Sequence, residues 1–355
     1  MQYSKPLDTL RFLAIFMVLA AHFITPLKFY VDAGYFGVEV FFVLSGFLIT
    51  EKLLAYKGSY FSSYLHFLGR RVMRIFPIYY LLIAILVLLQ LPILQQHLLA
   101  CVTYTFNYAL GYYVIPSSAI SHFWTLCVEE QFYLCWPFLV LGMKKNMRLL
   151  IGVTICIIGC CYAQIYFKII PSVSIYNWVG LFPRMFALCV GGLGAMLLEN
   201  KKKLSVFFQM KAAEWQTIFI LILVLWLRLR IRFLVCPFLI LFWVIKCRYH
   251  VFATPIWKKL ASFQPFVYLG KISYGIYLYH LPVAYYIEHL LSAYWTKADA
   301  HFSSDAVMGY LQNHSWIISF PIFTIVTIGI AAISYHYIEQ PILKRKDKFF
   351  PTNTK

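Results

Sequence analysis

A chain of 355 residues that is 62% hydrophobic and only 12% charged, with mean hydropathy +0.73, is not a soluble domain, which carries roughly twice that share of charge. Apolar runs of about 20 residues, the length that crosses about 30 Å of hydrocarbon, recur along the whole sequence, and no polar stretch approaches the roughly 50 residues of a separate domain. The formal charge of +18, from 31 Lys and Arg against 13 Asp and Glu, sits in short clusters between those runs, the pattern of cytoplasmic loops rather than of a nucleic-acid surface.

Taken in chain order, the apolar runs predict an all-α polytopic membrane bundle of about ten transmembrane helices with both termini cytoplasmic. The first run covers about residues 10–27, with Lys5 and Arg11 marking its cytoplasmic end. It contains His22 and lacks a small-residue cleavage site, so it does not read as a cleavable signal. The second, about 35–54, returns to a cytoplasmic stretch holding Lys57, Arg70, Arg71 and Arg74. The third, about 75–94, leads to a Tyr-rich segment with one proline, 95–121. A full crossing there would put Lys144 and Lys145 outside, so it reads as extracytoplasmic or re-entrant.

A fourth helix, about 122–143, descends to the basic loop of Lys144, Lys145 and Arg148. The fifth (149–167) and sixth (178–198) form a hairpin closed inside by Lys201, Lys202 and Lys203. The seventh and eighth, within 215–245, are joined by a turn carrying Arg228, Arg230 and Arg232, an exception to the positive-inside pattern. The ninth spans about 266–290 and a polar outer loop runs to His314. The tenth ends near Ile338, before Lys344, Arg345 and Lys346. Residues 1–345 form one membrane domain and 346–355 a short cytoplasmic tail. Nearly all of the nine cysteines lie in apolar runs and none stands at metal-ligand spacing with histidine, so they read as small buried hydrophobes and no metal site is expected.

Ionisable groups at lipid depth are costly and mark candidate sites. Arg11 and His22 are eleven residues apart, just over three turns, so they share one face of the first helix and are separated by a rise of about 16 Å. Arg11 also suits a snorkelling topology anchor, and His22 a histidine satisfied by a neighbouring helix. Glu39 and Glu129 fall at a depth comparable to His22 and are candidates to orient a base. Structural pairing with an arginine such as Arg184, itself in an outer half-helix, is the competing reading. Arg70, Arg71 and Arg74 gather three guanidinium forks on the cytoplasmic side, suited to phosphate or to membrane anchoring. Ser273, Tyr277 and His280 recur at i, i+4 and i+7 and make one polar stripe in the ninth helix.

These segments resemble the acyltransferase 3 family of membrane acyltransferases along nearly the whole chain. Arg11 with His22 after Leu7-Asp8-Thr9-Leu10 matches the family's opening pattern, and Phe41-Phe42-Val43-Leu44-Ser45-Gly46-Phe47 its second-helix Ser-Gly motif. Arg70-Arg71 with Arg74 and Pro77 matches its basic motif. Trp124 to Tyr133 is similar to its Trp-Ser-Leu-x-x-Glu block, with Thr125 in place of Ser. Ser273 to His280 and Glu339-Gln340-Pro341 resemble its closing motifs.

The resemblance implies O-acylation of an envelope glycan or lipid-linked saccharide, His22 serving in acyl transfer, Arg11 supporting it, and Arg71 and Arg74 helping to hold acyl-CoA. Some members carry a fused extracytoplasmic esterase-like domain; with none before Lys355, the acceptor is expected to meet the membrane domain directly or through a separate partner.

The expected function is transfer of an acyl group, acetyl by preference, from cytoplasmic acyl-CoA to a saccharide hydroxyl. His22 acts as general base or acyl relay, with Glu129 and Glu39 as its orienting acids. Arg11, Arg70, Arg71 and Arg74 hold the donor, while Arg184, Trp124, Ser273, Tyr277 and His280 bind substrate. Acyl-CoA is a donor substrate rather than a permanent cofactor. The expected partners are the lipid bilayer and the glycan acceptor, in a bacterial inner membrane. A transporter or glycan flippase, a non-catalytic scaffold, and a succinyl donor are the rival readings.

Overall fold

Ser4 precedes the first helix and donates its hydroxyl to the Cys247 carbonyl at 2.7 Å, and Pro6, in the first turn where no backbone N–H is needed, starts helix α1, Lys5–Phe23. The computed structural model describes residues 3–24, 33–112, 119–167, 179–198, 206–226, 232–302 and 316–350. Every regular element among them is helical. The predicted last residues of the first helix, 25–27, lie outside the described residues, as do Arg228, Arg230, Lys201, Lys202, Lys203 and His314.

Helix α2, Ala33–Ala55, runs through the middle of the bundle and buries residues on every side. Its tightest neighbour is α9, Leu181–Leu197. A Cβ on Gly46 would lie 1.9 Å from the Leu188 carbonyl oxygen and one on Gly191 2.1 Å from that of Val43, so two glycines allow the backbones to touch.

Helix α3 spans Tyr60–Leu88 and begins fifteen residues earlier than the predicted 75. Ser59 caps it by accepting from the Ser62 N–H, and Pro77 sits inside it. Arg70, Arg71 and Arg74 are therefore mid-helix residues, not the approach to a helix. The segment after α3 breaks into α4 (Pro92–Gln96), α5 (Leu98–Val102) and α6 (Phe106–Tyr112), each too short to cross a bilayer. Leu94, Cys101 and Phe106 are nonetheless fully buried, so these short helices pack into the bundle.

Helices α7 (Phe123–Met143) and α8 (Met147–Phe167) follow, then α9, α10 (Lys211–Trp226) and α11 (Arg232–Tyr249). Glu214 and Lys246 make a fully buried ion pair at 2.7 Å between α10 and α11, and the Glu214 carboxylate also accepts the backbone N–H groups of Ala253 and Thr254. The predicted ninth helix is two: α13 (Gln264–Lys271), preceded by the short α12 (Pro255–Ala261), breaks at Ile272, and α14 continues from Ser273 to Phe302, twelve residues past the expected end.

The predicted tenth helix does not stop near Ile338 either. α15 (Trp316–Ser334) passes through a π-helical turn, Tyr335–Glu339, into α16 (Gln340–Phe349). The Gln340 N–H reaches back to the Tyr335 carbonyl, one residue further than in an α-helix, just ahead of Pro341, which has no N–H to give.

Among the described residues, five helical stretches are long and apolar enough to cross a membrane: α1, α2, α3, α8 and the run from Trp316 to Lys346. The chain is an integral membrane protein by that measure. α7 has the length but carries Glu129, Glu130 and Gln131 mid-helix, and α9 is apolar but has 17 residues. Buried apolar side chains form two main clusters, one around Val43, Phe47, Trp136 and Leu188, the other around Ile15, Tyr79, Phe123 and Ile276. Val38, Phe41, Phe76 and Tyr274 pack against both. The seam they mark holds the polar residues.

Candidate active site

Five helices turn polar side chains toward this seam, three of them as rows that recur at helical spacing. Ser45 of α2, Arg71 and Arg74 of α3, Thr125, Glu129 and Tyr133 of α7, and Ser273 and Tyr277 of α14 join Arg11 of α1 around a cavity of about 120 Å³. The remaining wall is apolar, from Val38, Phe41, Phe42 and Leu126 among others. Three guanidinium groups thus face one carboxylate, an excess suited to an anionic ligand.

The polar rows are fixed by one another. Ser45 Oγ donates to Glu129 Oε1 at 2.6 Å and lies 3.3 Å from the Tyr133 hydroxyl. The Arg71 guanidinium sits over the Tyr133 ring, 4.8 Å from its centroid. Arg11 donates to Asp8 Oδ1 at 2.5 Å, one turn back on its own helix, while the Tyr3 hydroxyl donates to Asp8 Oδ2 at 2.6 Å. Burial and the Asp8 carboxylate push the Tyr3 phenol up, so it stays a donor. Asp8, Ser45 and Tyr133 were legible only as members of short motifs, not as site residues.

At one edge of the cavity the Tyr277 hydroxyl and Thr125 Oγ1 are 2.6 Å apart. Behind them lies a cluster of three imidazoles. His280 is 5.3 Å from His22 and 4.7 Å from His122, ring centre to ring centre, and the Tyr277 ring is 5.4 Å from His280 and 5.5 Å from His122. His22 is supplied by α1, His122 by the residue that opens α7, and His280 by α14. His122 escaped notice because a histidine at a helix start reads as an interfacial residue. Its place two residues before Trp124, in the block that carries Glu129, was the available signal.

Other candidates are placed elsewhere. Glu39 was expected beside His22, but its Oε1 receives Arg184 NH1 at 2.7 Å, both side chains being 4% exposed. The Arg184 guanidinium stacks over Trp124 at 5.3 Å and over Tyr35 at 5.5 Å. Glu39 and Arg184 thus form a buried ion pair, with Trp124 stacked against it, outside the cavity lining, and such a pairing is the competing reading of the sequence. Glu129 meets Ser45 and Tyr133 on the cavity wall rather than an imidazole. Arg70 is buried outside the cavity and donates to the Phe350 carbonyl, while the Phe350 ring packs where a Gly69 side chain would be. Arg70 therefore ties the C-terminal segment to α3. Among the described residues, no three His, Cys, Asp or Glu are arranged around a common metal position.

A family model described as an acyltransferase domain matches residues 5–336. Among curated proteins, the chain is 30% identical to the putative peptidoglycan O-acetyltransferase YrhL of Bacillus subtilis, over 96% of this chain and 55% of that protein. It is 28% identical to the peptidoglycan O-acetyltransferase OatA of Listeria monocytogenes (97% and 56%) and 24% identical to the O-acetyltransferase OatA of Staphylococcus aureus (98% and 58%). The chain spans little more than half the length of these relatives. No solved structure matches.

Proposed function

Because the chain belongs to the acyltransferase 3 family, we propose that it transfers an acetyl group from cytoplasmic acetyl-CoA to a hydroxyl of a cell-envelope glycan or lipid-linked saccharide. The observation that carries this reading is a cavity walled by Arg11, Arg71, Arg74 and Glu129 whose Tyr277 lies against His280, which in turn lies against the imidazole of His22. A cationic pocket leading to a base is what a thioester with a phosphorylated carrier and an alcohol require. Relatives named for peptidoglycan O-acetylation support an envelope glycan as acceptor.

In this reading the CoA phosphates rest on Arg71 and Arg74, and Arg11, held by Asp8, faces the acyl end. His22 takes the proton of the acceptor hydroxyl as its oxygen bonds to the thioester carbonyl carbon. The carbon–sulfur bond breaks, and the proton leaves with the CoA thiolate as free thiol. A relay through an acyl-histidine keeps the same balance. Glu129, donated to by Ser45, fixes the Tyr133 and Arg71 wall rather than the base. Ser273, Tyr277 and His280 contact substrate. In the same reading α7, α9, α10, α11 and α14 cross together with the five apolar stretches, ten crossings with both termini cytoplasmic, in a bacterial inner membrane.

The test is mass spectrometry of envelope glycans from cells with and without the protein. Base-labile acetyl esters that appear with the wild type and fall at least about 100-fold with His22→Ala, at equal membrane abundance, are the expected result. Equal esterification in both strains overturns it.

A further inference from the structure

Two imidazole nitrogens inside the bundle lack a hydrogen-bond donor, and their neighbours fix their chemistry. His122 places Nε2 3.0 Å from the Leu278 carbonyl oxygen, a contact that takes an N–H, which leaves the lone pair of the neutral ring on Nδ1. His280 places Nδ1 2.6 Å from the Tyr277 carbonyl oxygen, which leaves its lone pair on Nε2. His122 is 3% exposed and His280 is 0%, and neither lone-pair nitrogen has a partner. Native interiors rarely leave such groups unmatched without a functional reason. The two rings are neighbours, and His22 lies against His280.

We infer that His122 and His280 form the subsite for the hydroxyl groups of the acceptor saccharide, their unprotonated Nδ1 and Nε2 accepting hydrogen bonds from O–H donors next to His22. This rests on the acyl-transfer reading for what His22 does, but the subsite is a binding claim in its own right. The ligand class follows from what is missing: two buried acceptors require donors, and a carbohydrate carries adjacent hydroxyls, whereas a thioester offers only acceptor atoms. Two backbone carbonyls lock both tautomers, so the acceptor nitrogens are set before the ligand arrives.

Substitution by Phe keeps a ring and removes the acceptor nitrogens. His122→Asn keeps a polar atom near the Nδ1 position and His280→Gln one near Nε2, whereas His280→Asn withdraws it. Binding of a soluble β-1,4-linked N-acetylglucosamine tetrasaccharide to the detergent-solubilised chain is read by saturation-transfer NMR. Half-saturating concentrations of saccharide and of acetyl-CoA are read in the transfer reaction. Each Phe variant, and His280→Asn, is expected to weaken the saccharide about three- to tenfold and to leave the acetyl-CoA value within about twofold. His122→Asn and His280→Gln are expected to recover most of the loss.

Equal saccharide binding in all variants, no binding by the wild type, or a parallel loss for both substrates without rescue overturns the inference. Histidine-dependent saccharide binding in a chain that transfers no acetyl group supports the subsite and rejects the transfer reading alone. Transfer that is indifferent to His122 and His280 does the reverse.

Discussion

At the scale of single residues, the polar groups at lipid depth divide into those committed to each other and those facing the cavity. Glu39 and Arg184 satisfy one another in a site nearly closed to solvent. Removing one partner strands a buried charge, which costs about 3–5 kcal/mol. Arg184→Leu is therefore expected to cut membrane abundance and thermal stability sharply. Glu39→Gln, which keeps an acceptor and removes the charge, should be milder, and the yield of folded protein after solubilisation reads the difference. Ser45→Ala acts differently. It deletes a 2.6 Å bond at the cavity wall and no packing of consequence, so it should lower transfer about tenfold with stability kept near wild type. Equal loss of stability in both would show that the division is drawn wrongly. Arg11, Glu129, Ser273 and Tyr277 were legible because an ionisable or polar residue at helical spacing in an apolar run has no cheap alternative to the bundle interior. The pairing of Glu39 with Arg184 was legible only as a competing reading, since residues 145 positions apart meet only through tertiary packing. His122 was missed because, at the start of a helix, it reads as an interfacial residue.

At the scale of elements, hydropathy located most helices and misjudged those whose ends are polar. α3 begins at Tyr60, because its first turns carry Ser, His and Arg that lower the apolar average while leaving helix propensity intact. The break between α13 and α14 is invisible to composition, since Gly270, Lys271 and Ile272 sit in a continuous apolar run. Its reason is contact: a Cβ on Gly270 would lie 1.8 Å from the Asp8 carbonyl oxygen, so α13 lies directly on the turn of α1 that carries Asp8. Gly270→Ala must push the two backbones apart and with them the Asp8–Arg11 clamp. It is expected to lower both the melting temperature and transfer. Gly152→Ala, on a stretch of α8 with nothing within 4 Å, should change neither. A thermal-shift comparison of the two in detergent checks this, and an unperturbed Gly270→Ala protein would refute the close approach.

At the scale of the whole molecule, the bundle is two apolar clusters joined along a polar seam. The all-helical class and the membrane setting were legible in composition and patterning, because a chain that is 62% hydrophobic, with apolar runs of membrane-spanning length and charge confined to short clusters, suits a helical membrane bundle. The seam was not, because it depends on which rows of five helices face one another. The guanidinium-lined cavity and the imidazole cluster meet at Tyr277 and Thr125, and in the proposed function donor and acceptor approach one reaction centre from these two sides. The most direct test uses inside-out membrane vesicles, with acetyl-labelled CoA outside and envelope glycan acceptors in the lumen. Base-labile label on lumenal glycan with the wild-type chain, absent with His22→Ala, is the predicted result. Label that stays on CoA, or that reaches the glycan equally well without the imidazole of His22, contradicts it.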